Sequence, residues 1–146
     1  MEQVEKFKLK FNTYNKILNS FEKSFKIVTN SLSEDLIEIV KNGRIQKFEY
    51  SSEYTWKIIK LFLSTYHKIE TQSPRLAFRE LYLIDLINRK QYDSLIRMIE
   101  CRNRLSHEYN EGFFSEIQKD LFVYLELMKE IRLLIENQIQ IFETEI

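Results

Sequence analysis

Gly43, Gly112 and Pro74 are the only glycines and the only proline in 146 residues. Tight hairpins need residues that accept positive φ, and sandwiches need turn chemistry every few residues, so this chain lacks the punctuation of β-structure. Leu, Ile, Lys and Glu are abundant instead, and the expectation is an all-helical protein. The length suits one domain, since about 100–200 residues typically make one. Residues 1–146 hold no internal repeat, low-complexity tract or Pro- or Ser-rich linker to divide them.

Apolar residues recur at steps of four and three. Phe7, Phe11, Tyr14, Leu18, Phe21, Phe25 and Val28 predict a long helix over about 2–30. Ser31 and Glu34 read as a capping box for a short helix through Leu36 and Val40, and Asn42-Gly43 reads as its break. A second long helix is expected over about 45–69, with Ile45, Phe48, Ser52, Trp56, Ile59, Leu63 and Tyr66 on its inner stripe. Ser73-Pro74 offers an N-cap and a first helical residue to a shorter helix through Ala77, Leu81 and Ile84, ending near Asn88. The next carries Tyr92, Leu95 and Ile99 and is expected to close around residues 110–112, with Gly112 left-handed. Ile117, Leu121, Tyr124, Met128, Ile131, Ile135 and Ile139 mark a last helix of about seven turns. Long helices with short connections favour an antiparallel up-and-down bundle of four main helices plus one or two short ones.

Lys and Arg total 22 and Asp and Glu total 22, so no whole-molecule field draws in nucleic acid or an anionic membrane. Any RNA contact must be local. The single cysteine, Cys101, and the lack of a signal-peptide pattern point to a reducing cytoplasm. Every apolar run is broken by Lys, Glu, Asn or Gln well short of the roughly 20 residues a membrane span needs. Two His and one Cys, without CxxC, HxxxH or HExxH spacing, give no metal site, and no Gly-rich phosphate loop is present, so no cofactor is expected.

The stretch ECRNRLSHEYNEG, residues 100–112, departs from this regularity. With Leu95 at zero and about 100° per residue, Arg102 falls at about −20°, Ser106 at about 20° and Tyr109 at about −40°, inside the apolar stripe. An arginine stays charged at ordinary pH, so burying it requires an acid, an anion or water. Two readings stand. Arg102 could pair with Glu49 or Glu53 on a neighbouring helix and tie the bundle together. Alternatively Arg102, Asn103, Arg104, His107 and Tyr109 form a group able to bind and cleave a phosphodiester. His107 lies about 140° from Arg102 on the wheel, so the two meet only if the helix unwinds before His107 or a second chain completes the pair.

Arg102 to Tyr109 reads R-x4-H-x-Y, and on that motif the chain resembles the HepT toxins of the HEPN superfamily. The resemblance extends to GRIQKFEYSSEYTWKIIKLFL, residues 43–63, which is similar to the block of nucleotidyltransferase substrate-binding proteins that runs from FEF through a Glu to WK. Ser73-Pro74-Arg75 through Glu80 is similar to their S-P-R segment. Tyr50 stands where that block usually has Phe, and Tyr54 where Leu is frequent.

The resemblance implies a HEPN-like helical homodimer that partners a minimal, MNT-type nucleotidyltransferase antitoxin. It implies a toxin that cleaves RNA without metal, with Arg102 and His107 catalytic and Asn103 and Ser106 supporting. The ribose 2′-hydroxyl would attack the adjacent phosphate, His107 moving the proton and Arg102 stabilising the phosphoryl charge, to leave a 2′,3′-cyclic phosphate. It further implies neutralisation by AMP transfer onto Tyr109. The alternative is a non-catalytic substrate-binding subunit of a two-component nucleotidyltransferase, Arg102 then anchoring an anion. Arg104 is expected to be an exposed helix arginine, Trp56 a packing residue, Lys57 an outer-face cation, and His67 a surface or packing residue.

Overall fold

Ser33, Ser73 and Asn110 each accept, through the side chain, from a backbone N–H at the start of a helix. The structure, a computed structural model, describes residues 2–107 and 110–145. Its helices are α1 (Glu2–Ser24), α2 (Glu34–Phe62), α3 (Pro74–Leu83), α4 (Arg89–His107) and α5 (Glu111–Thr144), with a π-helical turn, Leu63–His67, extending α2. Four are long and α3 is short, and no strand occurs among the described residues. The all-helical bundle expected from the near-absence of glycine and proline is the one formed.

Pairings fix the register. Across α1 and α2, Arg44 Nε donates to the Ser24 carbonyl (2.9 Å), Tyr14 meets Thr55 (2.8 Å), and Phe7 packs on Phe62. One sequence ascends as the other descends, so the two are antiparallel. Glu22 to Lys129 (2.6 Å), Asn19 to Arg132 (3.2 Å) and Lys8 to Glu143 make α5 antiparallel to α1 as well. Helices α2 and α5 therefore run parallel, as Gln118 Nε2 to the Lys41 carbonyl (3.1 Å) and Phe48 stacked on Tyr124 also require.

Between these helices lies one apolar cluster to which all five contribute, including the fully buried Phe21, Phe48, Phe62, Phe78, Leu95 and Ile131. Each such side chain contributes roughly 1.5–3 kcal/mol relative to an exposed one, so this stripe-to-stripe packing outweighs local propensity. Tyr14 is buried too, and its phenol is satisfied: Thr55 Oγ1 donates to the Ser51 carbonyl (2.7 Å), leaving that oxygen to accept from Tyr14. Burial raises the Tyr14 pKa further above the ordinary phenol value.

Several boundaries differ from the expected ones, among them the end of α3, which closes at Leu83 and not near Asn88. Helix α1 stops at Ser24, whose Oγ donates to the Phe21 carbonyl (2.6 Å), and Val28 is 71% exposed instead of lying on the inner stripe. The β-branched run Ile27-Val28-Thr29 is a poor continuation of a helix. No break occurs at Asn42-Gly43: α2 is continuous, and its N-cap is Ser33, which accepts from the Leu36 N–H, and not Ser31. A mid-helix glycine costs only about 0.5–1 kcal/mol relative to Ala, and the ties from Lys41 to α5 and from Arg44 to α1 flank it on both sides. Gly112 is not a left-handed terminator. It lies in the first turn of α5, behind Asn110, whose Oδ1 accepts from the Gly112 (2.8 Å) and Phe113 (3.3 Å) N–H groups. Left-handed backbone falls instead on Lys68 and Asp85, after the π turn and after α3. The last helix is also longer than expected, 34 residues or over nine turns.

Candidate functional site on the fourth helix

Helix α4 opens on a reciprocal box that the apolar spacing does not reveal. Asn88 Oδ1 accepts from the Gln91 N–H (2.8 Å) while Gln91 Oε1 accepts from the Asn88 N–H (3.0 Å). Arg75, from the S-P-R segment, pairs with Glu100 (2.9 Å) and ties α3 to the middle of α4. Leu95, Met98 and Ile99 of α4 are buried.

One turn beyond Ile99 the stripe turns polar. Arg102 is half-buried, and its Nη2 lies 3.3 Å from Glu53 Oε2 on α2. Glu53 is the glutamate of the quoted aromatic block, so the two motifs meet in space. Its other oxygen lies 3.4 Å from Lys57 Nζ. Burial raises the Glu49 carboxyl pKa, an effect partly offset by the Arg102 charge. The Arg102 Nε is buried without a hydrogen-bond partner. An arginine donates in a planar fork, and here one arm of that fork is engaged and another is left unanswered.

The remaining motif residues distribute as follows. Ser106 Oγ donates to the Arg102 carbonyl (3.3 Å), a bond within the helix. Asn103 is exposed. Arg104 is exposed with its guanidinium 3.8 Å above the Phe113 ring, joining the end of α4 to the start of α5. His107 is exposed in the last helical turn. Because α4 stays helical through His107, the five-residue offset keeps it about 140° from Arg102, and a single chain does not bring the two onto one face. Tyr109, the expected AMP acceptor, lies outside the described residues.

Nearby groups are structural. Trp56 is half-buried against the core with Lys60 Nζ 5.7 Å from its ring, and Lys57 is exposed, as expected of each. His67 packs edge-on against Phe62 and Phe142, and burial lowers its pKa. Burial also pushes the Cys101 thiol up to about 11. Among the described residues, no three His, Cys, Asp or Glu side chains are grouped to hold a metal ion, and no helix is long and apolar enough to cross a membrane.

A family model described as nucleotidyltransferase substrate binding protein like matches residues 9–137. Among solved structures, a protein from Thermus thermophilus is 24% identical, with a TM-score of 0.70 over 81% of this chain and 94% of that one. A tri-AMPylated Shewanella oneidensis HEPN toxin in complex with MNT antitoxin is 18% identical, with a TM-score of 0.70 over 90% of this chain and 96% of that one. A mutant of the toxin–antitoxin MntA-HpeT is 19% identical, with a TM-score of 0.69 over 90% of this chain and 97% of that one. At such identities these likenesses establish the fold, a HEPN-like helical bundle. No curated protein matches the sequence.

Proposed function

The chain belongs to the nucleotidyltransferase substrate binding protein-like family, and on that premise we propose that it is the toxin of a HEPN–MNT type toxin–antitoxin pair. Residues 1–146 act as one helical domain that dimerises in the cytoplasm and cleaves RNA without a metal. The observation that carries the reading is Arg102, a half-buried cation set inside an apolar stripe with its Nε unanswered, five residues before an exposed His107. The fold likeness to a HEPN toxin in complex with MNT antitoxin supports it.

In this reading His107 removes the proton from a ribose 2′-hydroxyl, and the oxygen attacks the adjacent phosphorus. Arg102 balances the charge that builds on the phosphoryl oxygens, and the 5′-oxygen leaves with the proton that His107 returns, to give a 2′,3′-cyclic phosphate. General-base help of this kind is worth about 10²–10⁴-fold. Asn103 and Ser106 support the phosphate and the helix end. Since Arg102 and His107 diverge on α4, the working pair is drawn from two chains across a two-fold axis. Neutralisation follows when the cognate transferase directs the Tyr109 phenol oxygen onto the α-phosphate of ATP and pyrophosphate leaves. The attached AMP then competes with RNA for Arg102.

One observation favours the second reading. The Arg102–Glu53 pair resembles a structural tie, which suits a substrate-binding subunit that performs no chemistry. Expression with and without Arg102→Ala or His107→Ala separates the two: the toxin reading expects growth arrest by the wild type and relief by either variant. Arrest that persists in both variants would remove the catalytic assignment. Intact mass after incubation with the partner transferase and ATP tests Tyr109, which should gain AMP in the wild type and not in Tyr109→Phe.

A further inference from the structure

Lysines line the seam between α1 and α2. Two adjoining grooves, of about 520 and 480 Å³, share Tyr50 as a common wall. Lys6, Lys10, Lys57 and Lys60 line the first, and Lys16 and Lys47 the second. Glu53 and Glu70 are the acids of the first groove, and the second has none. Glu53 is taken by Lys57 and Arg102, while Glu70 accepts from Ser64 Oγ (2.7 Å). Neither Lys6 nor Lys10 makes an ion pair with another described residue. By contrast, the groove between α4 and α5 sets Lys90 and Arg97 against Asp120, Glu126 and Glu130. A chain of zero net charge has thus gathered cations on one seam.

The seam also carries aromatic faces. Tyr50 is 59% exposed, and its ring lies 6.4 Å from that of Tyr54, which is itself stacked on Tyr14. Exposed aromatic rings interleaved with cations are what single strands use, the rings stacking bases while ammonium groups follow the phosphates. From Gly43 to Leu61 the seam runs about 27 Å along α2, at about 1.5 Å per residue. Glu53 joins it to the motif, because the carboxylate that lines the groove also touches Arg102.

We propose that the α1–α2 seam is a track for single-stranded RNA that leads a phosphate past Glu53 to Arg102. The assignment rests on the ribonuclease reading and names where its substrate lies. Lysines at the seam fix the strand through its backbone, without sequence readout, and Tyr50 takes a base.

The test is binding of a short, uncleavable 2′-O-methyl oligoribonucleotide to the full chain, measured by fluorescence anisotropy across a salt series. The seam variant carries Lys6→Gln, Lys10→Gln and Lys16→Gln, all at exposed positions of α1. A matched control carries Lys90→Gln, Arg97→Gln and Lys119→Gln, all on α4 and α5, which changes net charge equally away from the seam. Single-strand binding follows a slope of about −0.7 per neutralised phosphate in log K against log salt, so the seam variant should be shallower than wild type by about 2. The control should keep the wild-type slope. Equal slopes in both variants, or no RNA binding by the wild type, overturn the track. So does a seam variant that keeps RNA affinity but loses the transferase partner, since the seam would then be a protein-docking face. Growth arrest relieved by Arg102→Ala alongside equal slopes would leave the ribonuclease reading standing without the track.

Discussion

The Arg102–Glu53 contact should report a coupling of about 1 kcal/mol in a double-mutant cycle. At 3.3 Å two unit charges attract by about 5 kcal/mol at an effective dielectric of about 20 and by about 1.3 kcal/mol in water. Both side chains are close to 30% exposed, which places the pair between exposed bridges worth about 0–1 kcal/mol and buried ones whose severing costs about 3–5 kcal/mol. Holding two long side chains in one geometry offsets part of the attraction. Glu53→Gln also releases Lys57, an exposed i,i+4 contact worth about 0.3–0.5 kcal/mol, but that contribution cancels in the cycle. Urea unfolding of wild type, Glu53→Gln, Arg102→Met and the double variant gives the coupling directly. The double variant should be less destabilised than the sum of the singles, and the difference should shrink but persist in high salt because the pair is mostly shielded from solvent. A coupling indistinguishable from the additivity error of about 0.3–0.5 kcal/mol would show that something other than Glu53 holds Arg102 in the stripe.

Gly43→Ala should stabilise the protein by about 0.5–1 kcal/mol, because the position is helical, its φ is not positive and an added Cβ meets no atom within 4 Å. Thermal unfolding checks it, and a fall in melting temperature would mean that α2 needs a flexible point there. For His67, burial lowers the folded-state pKa, so the unfolded chain binds the proton more readily. Stability should therefore fall as pH drops below about 6.5, the ordinary histidine value. His67→Phe should flatten that decline between neutral and mildly acidic pH; an unchanged slope would place the titration elsewhere. The loss from Glu22, whose carboxyl is held low by Lys129, belongs to a separate and more acidic window.

The inner stripes were readable because burial at every third or fourth residue leaves a direct mark on composition. Phe7, Phe11, Tyr14, Leu18 and Phe21 are buried as their spacing requires. Boundaries were harder. Asn42-Gly43 carries a local turn signal, yet ties from distant residues, Gln118 and Ser24, override it, and such ties leave no local pattern. Asn88 and Gln91 carry a local signal, an Asn three residues before a Gln, which is a capping box with Asn in place of Ser or Thr. At the site, helical spacing alone puts Arg102 in the stripe, and Glu53 is one of the two acids that the neighbouring helix offers it. The lysine seam stayed hidden because Lys6 and Lys60 become neighbours only through the antiparallel register of α1 and α2.

Under the proposed ribonuclease reading, the uninterrupted course of α4 through His107 would set a rule for dosage. If the reactive pair is drawn from two chains, an isolated chain is silent however well it folds, and cleavage grows with the square of its concentration until dimers saturate. Low leak from the gene would then be harmless, and a modest excess over the antitoxin would act abruptly. A straight helix would have turned a geometric mismatch into a threshold.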